Sequence, residues 1–311
     1  MTSTRYGAVG AVLITGVALA AAAAAQQPRI SNGQVAPQPG AALATAFRSI
    51  VASQADVAWV GYSVPVRDRN RTTCCWSSAD GTSHFTGTMN SGDMPCCGSC
   101  GLEPQNAGAA APVRPAAPAA GPIKLEGSDR LVVLFRVVDR QVERVRTFSE
   151  DCALDAGGRT VHWLQDVRPA DSVALLASLI DAEPQRKSRV TNAALSAISQ
   201  HAEPSATGDI ERLARSHTTA AVRGEALFWL AQMAGDKVAG TITAAIENDP
   251  DTDVKRRAVF ALSQLPRGEG VPLMIDVARK NKNPAVRKQA MFWLGQSKDP
   301  RALEFFAEIL K

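Results

Sequence analysis

The chain has 311 residues, of which 45% are hydrophobic and 21% charged. That balance supports a packed core and excludes a wholly disordered chain. The formal charge is +4, with 34 Lys and Arg against 30 Asp and Glu, an excess too small to make nucleic acid the natural partner.

The N-terminus reads MTSTRYGAVGAVLITGVALAAAAAAQQ: Arg5, then an uncharged run from Tyr6 to Ala25. Ala23 and Ala25 supply the small residues of an A-x-A cleavage site before Gln26. Residues 1–25 therefore read as a secretory signal peptide. The run nearly reaches spanning length, but its Ala-rich second half partitions weakly into lipid, which favours cleavage over anchoring. Cleavage removes Arg5 and leaves 4 − 1 = +3. The expected localisation is periplasmic or secreted, with no membrane span after signal cleavage.

Residues 26–44, rich in Gln, Pro, Gly and Ala, read as a flexible linker. AWVGYSVPV (Ala58 to Val66) reads as a strand, with Pro65 marking an edge or an early end. A segment crowded with Gly, Ser, Thr and Asp follows and suits turns and short strands. Residues 104–122 form an Ala/Pro-rich linker. Arg130 to Val138 is β-branched and apolar, a strand. In Gln141 to Phe148 the spacing of Val142, Val145 and Phe148 would also serve a helix. The Val and Thr content and the Asp139–Arg140 junction favour a hairpin. Thr160 to Leu164 reads as a further strand. Residues 45–167 thus predict a small β-rich domain interrupted by the 104–122 linker.

This domain carries all six cysteines, Cys74, Cys75, Cys96, Cys97, Cys100 and Cys152. An even count in an exported chain predicts disulfides, with the pairing left open. Adjacent residues on a strand point to opposite faces, so Cys74 and Cys75 should bond different partners, as should Cys96 and Cys97. The alternative is a metal or redox centre built from Cys74, Cys75, Cys96, Cys97 and Cys100, with His84 as a further metal ligand. Cys97-Gly-Ser-Cys100 has the spacing for either. No second C-x-x-C and no βαβ pattern accompanies it, which weighs against both, and no cofactor is expected.

From Ser172 onward Ala and Leu recur at helical spacing. Val190, Val222, Val254 and Val286 are each 32 residues apart (222 − 190 = 32). The same offset links Ala194, Ala226, Ala258 and Ala290, and links Ile198, Leu230, Leu262 and Leu294. A fixed period of this kind marks a stacked array. Val222, Ala226 and Leu230 step by four and form one stripe on a first helix. A second helix follows in each unit, carrying Ile242, Met274 or Phe306. A single unit cannot bury its stripe, so copies must stack. Residues 168–311 predict an α-solenoid, and the whole chain an α+β fold.

Phe228, Phe260 and Phe292 sit two positions after the stripe alanines, about 200° around the helix. Gln232, Gln264 and Gln296 lie four residues further on. Packing between repeats accounts for such a row, and so does a protein-binding face. Arg223, Lys255 and Arg287 form a positive ladder, to which Arg256, Arg257 and Lys288 add. It is expected to be solvated or to pair with acids at repeat junctions such as Asp251, Asp253 or Glu225, with an acidic partner as the alternative. The four histidines are scattered, and no nucleophile elbow, zinc-hydrolase, P-loop or dinucleotide motif is present. No catalytic residue and no enzyme activity are expected.

The pattern V-[RK]-x-x-A-x-x-x-L, with Asp299–Pro300 before the last helix, resembles HEAT repeats, and the short period is similar to their phycobilisome-lyase-like subgroup. The resemblance covers about residues 170–311. It implies an α-solenoid that binds other proteins. A related fold serves deoxyhypusine hydroxylase through His-Glu dipeptides, which this chain lacks, and bilin lyase activity does not suit an exported protein. The expectation is a non-enzymatic scaffold or adaptor whose partner is another protein.

Overall fold

The computed structural model describes residues 28–77, 84–90, 96–103, 127–181 and 188–310. The signal segment 1–25 and the linker 104–122 lie outside the described residues. The N-terminal half contains β1 (Ile30–Ser31), β2 (Gln34–Pro39), α1 (Leu43–Ser53), β3 (Ala58–Pro65), β4 (Arg71–Ser77), β5 (His84–Asn90) and β6 (Cys100–Gly101). It continues with β7 (Arg130–Val138), β8 (Gln141–Ser149), β9 (Leu154–Asp155) and β10 (Thr160–Gln165).

Five strands form the main sheet in the order β2-β10-β3-β7-β8. β10 runs parallel to both β2 and β3, while β3, β7 and β8 are antiparallel. The stretch expected to be a flexible linker, 26–44, instead supplies β1, β2 and the start of α1. Pro37 and Pro39 suggested a tether, but an edge strand pairs on one side only and tolerates their missing N–H groups. Pro65 ends β3 and does not mark an edge, because β3 lies between β10 and β7. The β7–β8 hairpin closes at Asp139 and Arg140, with φ of 49° and 61°. Two positive φ values in a two-residue loop match the twist of the flanking strands.

The sheet is covered on both faces, which is why β3 and β7 read as nearly continuous apolar runs. On one face Val60, Tyr62, Val64, Val133 and Phe135 join α1 and the helical array. The other face, with Trp59, Val132, Leu134, Phe148 and Trp163, packs against Cys74, Trp76, Cys96, Cys100, Leu102 and Cys152. This second layer consists of the β4–β5 hairpin and the small sheet β1-β9-β6. Glu103 pins it to the sheet. Its carboxylate accepts from Trp59 Nε1 at 2.8 Å and from Arg136 Nε and Nη2 at 3.0 and 2.7 Å.

The C-terminal half is helical: α2 (Pro169–Asp181), α3 (Ser188–Gln200), α4 (Ser205–Ser216), α5 (Ala220–Ala234), α6 (Ala239–Asn248), α7 (Thr252–Ser263), α8 (Gly270–Lys280), α9 (Pro284–Gln296) and α10 (Pro300–Ile309). All twelve stripe residues, the four Val, the four Ala and Ile198, Leu230, Leu262 and Leu294, are buried. The first helices α3, α5, α7 and α9 pack side by side, whereas the second helices α4, α6, α8 and α10 touch one another far less. Closer spacing in one layer curves the stack and puts the first helices on its inner side. One core runs from α1 and the sheet through the array to Phe305. α2 bridges the two regions, packing on both α1 and β3.

The turns are built from local rules. Asp251, Asn283 and Asp299 cap α7, α9 and α10 by accepting backbone N–H bonds, and Pro284 and Pro300 open their helices where no N–H is needed. Before α8 the chain bends back sharply, and a Cβ on Gly270 would lie 1.8 Å from Leu262 O. Gly270→Ala should therefore lower stability by about 1–3 kcal/mol. A reduced urea midpoint with native helical dichroism is the expected result. An unchanged midpoint would show that the start of α8 can shift at no cost.

Candidate protein-binding face

The inner layer carries a continuous row of rings. Phe228 on α5 and Phe260 on α7 stack with centroids 5.6 Å apart and planes 1° from parallel. Phe260 meets Trp293 on α9 at 4.8 Å, and Trp293 meets Phe292 edge-on at 5.0 Å. Trp229 extends the row behind Phe228 at 5.1 Å. The Phe rings stand opposite the core stripe and lie on the inner surface of the stack, while Trp229 and Trp293 turn toward the core and pack against it. Phe228 and Phe260 are half-buried and pack across the repeat junctions; Phe292 is 54% exposed. Gln232 and Gln296 are exposed, and Gln264 is half-buried with its Nε2 donating to Ser263 Oγ at 3.0 Å. The two accounts of the aromatic row thus divide along it, with packing dominating at Phe228 and Phe260 and free surface at Phe292.

Beside the row, Asp253, Arg256, Arg257, Phe260, Gln289 and Trp293 line a shallow cavity of about 490 Å³ between α7 and α9. Arg256 bonds Asp253 at 3.2 Å, and Arg257 bonds Glu225 on α5. Both guanidinium groups stay about half exposed, so each can exchange its partner at small cost. The sequence pattern marks Phe260 in the aromatic row and Asp253 among the acids, but it does not bring them together with Gln289 and Trp293, which lie on a different helix.

The positive ladder pairs with acids as expected at Arg256 and Arg257, which take Asp253 and Glu225. Arg223 also pairs across a repeat junction, but with Asp249 and not with Asp251, Asp253 or Glu225. It forms a bidentate pair with Asp249, Nε–Oδ2 2.7 Å and Nη2–Oδ1 2.9 Å, and also donates to His217 O and Thr218 O. Lys255 Nζ donates to Glu247 O, and Arg287 Nη1 to Asn281 O and Lys282 O. Each cation thus satisfies carbonyls left over where a second helix ends, and its charge favours the helix C-terminus. These bonds tie each first helix to the end of the preceding second helix.

The cysteines gather on the far side of the sheet. Cys75 and Cys100 form a disulfide, while Cys74, Cys96 and Cys152 are buried thiols. The Cys152 thiol donates to Thr73 O at 3.1 Å, and Cys97 N–H donates to Cys75 O at 2.9 Å. Adjacent Cys74 and Cys75 do point opposite ways, one fully buried and the other half-buried. Among the described residues, no three His, Cys, Asp or Glu side chains converge to hold a metal ion.

Sequence reasoning missed one constellation. Ser172 Oγ lies 2.7 Å from His201 Nε2 and 2.8 Å from Tyr62 Oη, and His201 Nδ1 lies 2.7 Å from Ala197 O. A carbonyl only accepts, so Nδ1 carries the proton and Nε2 accepts from Ser172; Tyr62 is then left to donate to Ser172. The contact has the geometry of a nucleophile and base, but all three side chains are sealed between β3, α2 and the end of α3. It works as a joint between the sheet and the array. Residues 62, 172 and 201 share no spacing that would have revealed it.

Residues 239–311 match a family model described as HEAT repeats. The C-terminal part of the array is thus similar to HEAT repeats, and the match does not extend into the cysteine-bearing half. No curated protein matches the chain.

Proposed function

We propose that the protein is an exported, non-enzymatic scaffold that holds a protein partner along the inner face of its solenoid. Phe228, Phe260, Phe292, Gln232, Gln264 and Gln296 form the contact surface. The observation that carries this reading is the aromatic row, continuous over three repeats and surfacing at Phe292, with Phe260 and Trp293 sharing a shallow cavity with Arg256 and Arg257. Aromatic anchors flanked by arginines are what protein interfaces favour at their centres. The fitting partner segment places an apolar side chain on the rings and a carboxylate near the guanidinium groups. Export is supported by the signal segment and by the Cys75–Cys100 disulfide, which belongs in an oxidising compartment.

Phe292 is the residue to change, because it lies outside the core. Phe292→Ala should shift stability by no more than about 0.5 kcal/mol and weaken partner capture from the native compartment at least tenfold. Adding Arg256→Glu should abolish capture while thermal melting stays within a few degrees of wild type. Undiminished capture by the double variant would move the partner off this face. Phe260→Ala serves as the contrast: it breaks two ring contacts and should cost stability as well, about 1–2 kcal/mol.

A further inference from the structure

Cys74 occupies an unusual place. Its side chain points into the layer beneath the sheet, and its Sγ lies 2.8 Å from Cys96 Sγ and 3.8 Å from Cys100 Sγ. Two sulfurs at 2.8 Å are nearer to the bonded separation of about 2.05 Å than to an ordinary non-bonded contact. Cys75, the next residue on β4, is bonded to Cys100, whose Sγ also accepts from Cys75 N–H at 2.9 Å. The chain from Cys96 to Cys100 therefore runs alongside β4, and backbone contacts hold it there: Trp76 bridges Cys96, and Cys97 N–H bonds Cys75 O.

We propose that Cys74 and Cys96 form a second disulfide, so that two adjacent residues of β4 are each bridged to the 96–103 segment. The chemistry is a two-electron oxidation by a disulfide-bearing oxidant such as oxidised glutathione or a protein disulfide. Two S–H bonds break and the Cys74–Cys96 bond forms. The oxidant's S–S bond takes up the two electrons and two protons and leaves as two thiols. Hydrogen bonding with Cys152 raises the Cys74 thiol well above its ordinary range, and hydrogen bonding with Cys74 does the same for Cys96. The thiolate is the attacking species, so the bridge closes while the hairpin is still open, during folding.

The bridge explains why a chain would place two adjacent cysteines on β4. One seals Trp76 and the sheet-facing layer, where Cys74 and Cys96 are both buried. The other holds the half-buried Cys75. A single disulfide would leave Cys74 held by side-chain packing alone.

The test uses the full mature chain, refolded from the reduced state in a glutathione redox buffer, then alkylated without reduction and cut before aspartate. Cys74 and Cys75 fall in fragment 68–79, Cys96, Cys97 and Cys100 in fragment 93–128, and Cys152 in fragment 151–154. The expected product is 68–79 joined to 93–128 by two bridges, four hydrogens lighter than its reduced parts, with Cys74 unalkylated. In a Cys75→Ser/Cys100→Ser variant the two fragments should remain joined. Adding Cys96→Ser should separate them, and adding Cys97→Ser should not. The proposal fails if wild type carries a single bridge with Cys74 alkylated, or if Cys74 is joined to fragment 151–154. Tandem mass spectrometry of the wild-type product decides the matter even where the serine variants do not fold: the alkyl group sits on Cys97 if the proposal holds, and on Cys96 if it fails.

Discussion

Asp249→Ala should cost about 3–5 kcal/mol of stability, more than any exposed ion pair in the chain could account for. Arg223 and Asp249 keep only 10% and 7% of their side-chain surface in water. Arg223 belongs to α5, while Asp249 sits in the turn between α6 and α7, so the pair links one repeat to the next. Removing the carboxylate strands a guanidinium that cannot lose its proton and has little access to water. Two of its bonds survive, to His217 O and Thr218 O, which places the loss toward the lower end of the range. Asp249 also accepts from Asp251 N–H at 2.9 Å, so the α6–α7 turn loosens at the same time. Asp249→Asn keeps one acceptor and should cost less than Ala. Arg223→Met/Asp249→Leu removes both charges and should recover much of the loss, since a paired burial is replaced by apolar packing. Urea denaturation of the four proteins measures this order. If Asp249→Ala melted like wild type, the Arg223–Asp249 pair would not be what joins these repeats.

The same residues show how far the sequence could be read. The stripe of Val, Ala and Leu was visible because burial in a stacked array imposes one rule on every copy, and the rule survives as a period. The hairpin at Asp139–Arg140 was visible because its chemistry is local. Arg223 was recognisable as a recurrent cation, but its acid lies 26 residues away, and the spacing did not choose between it and the neighbouring Asp251 and Asp253. Residues 26–44 were misread for the opposite reason. Their composition is that of a tether, and only the edge position beside β10 makes two prolines compatible with a strand. The candidate face was half legible: the Phe row repeats, but its exposure depends on which ring the next repeat covers. Phe228 and Phe260 each have a neighbour from the following helix, and Phe292 has Trp293 of its own.

The largest pH effect should come from His201. Its ring is fully buried, and burial pulls its pKa from the ordinary 6.5 down to about 4. The bond to Ala197 O and the nearby Glu203 pull the other way, and Arg67 adds to the depression. Tyr62 and Ser172 face the ring as neutral hydroxyls, and Nε2 accepts from one of them, so the neutral imidazole is the form that fits. The sign follows from which state binds the proton first. Above pH 6.5 His201 is neutral both folded and unfolded, and contributes no pH dependence. Between 6.5 and 4 the unfolded chain takes up a proton that the folded chain refuses, so stability falls as pH falls, by about 3 kcal/mol in all. Below 4 the folded ring also protonates and this contribution levels off. Carboxylates held low by partners, such as Asp249 and Asp299, lose their contributions only as pH drops through about 4 and below. Across the window from about 6.5 to 4.5 His201 makes the largest contribution, and His162, which burial also pulls down, adds a smaller one of the same sign. Urea midpoints measured across it should slope downward with acid in wild type and clearly less steeply in His201→Gln, which keeps an amide donor and acceptor but cannot titrate. Since Tyr62, Ser172 and His201 lie on β3, α2 and the end of α3, the joint that weakens is the one between the sheet and the first repeat. Amide exchange should accordingly quicken first at β3 and α2 on acidification, ahead of α7 and α9. Equal slopes in the two proteins would remove His201 as the cause.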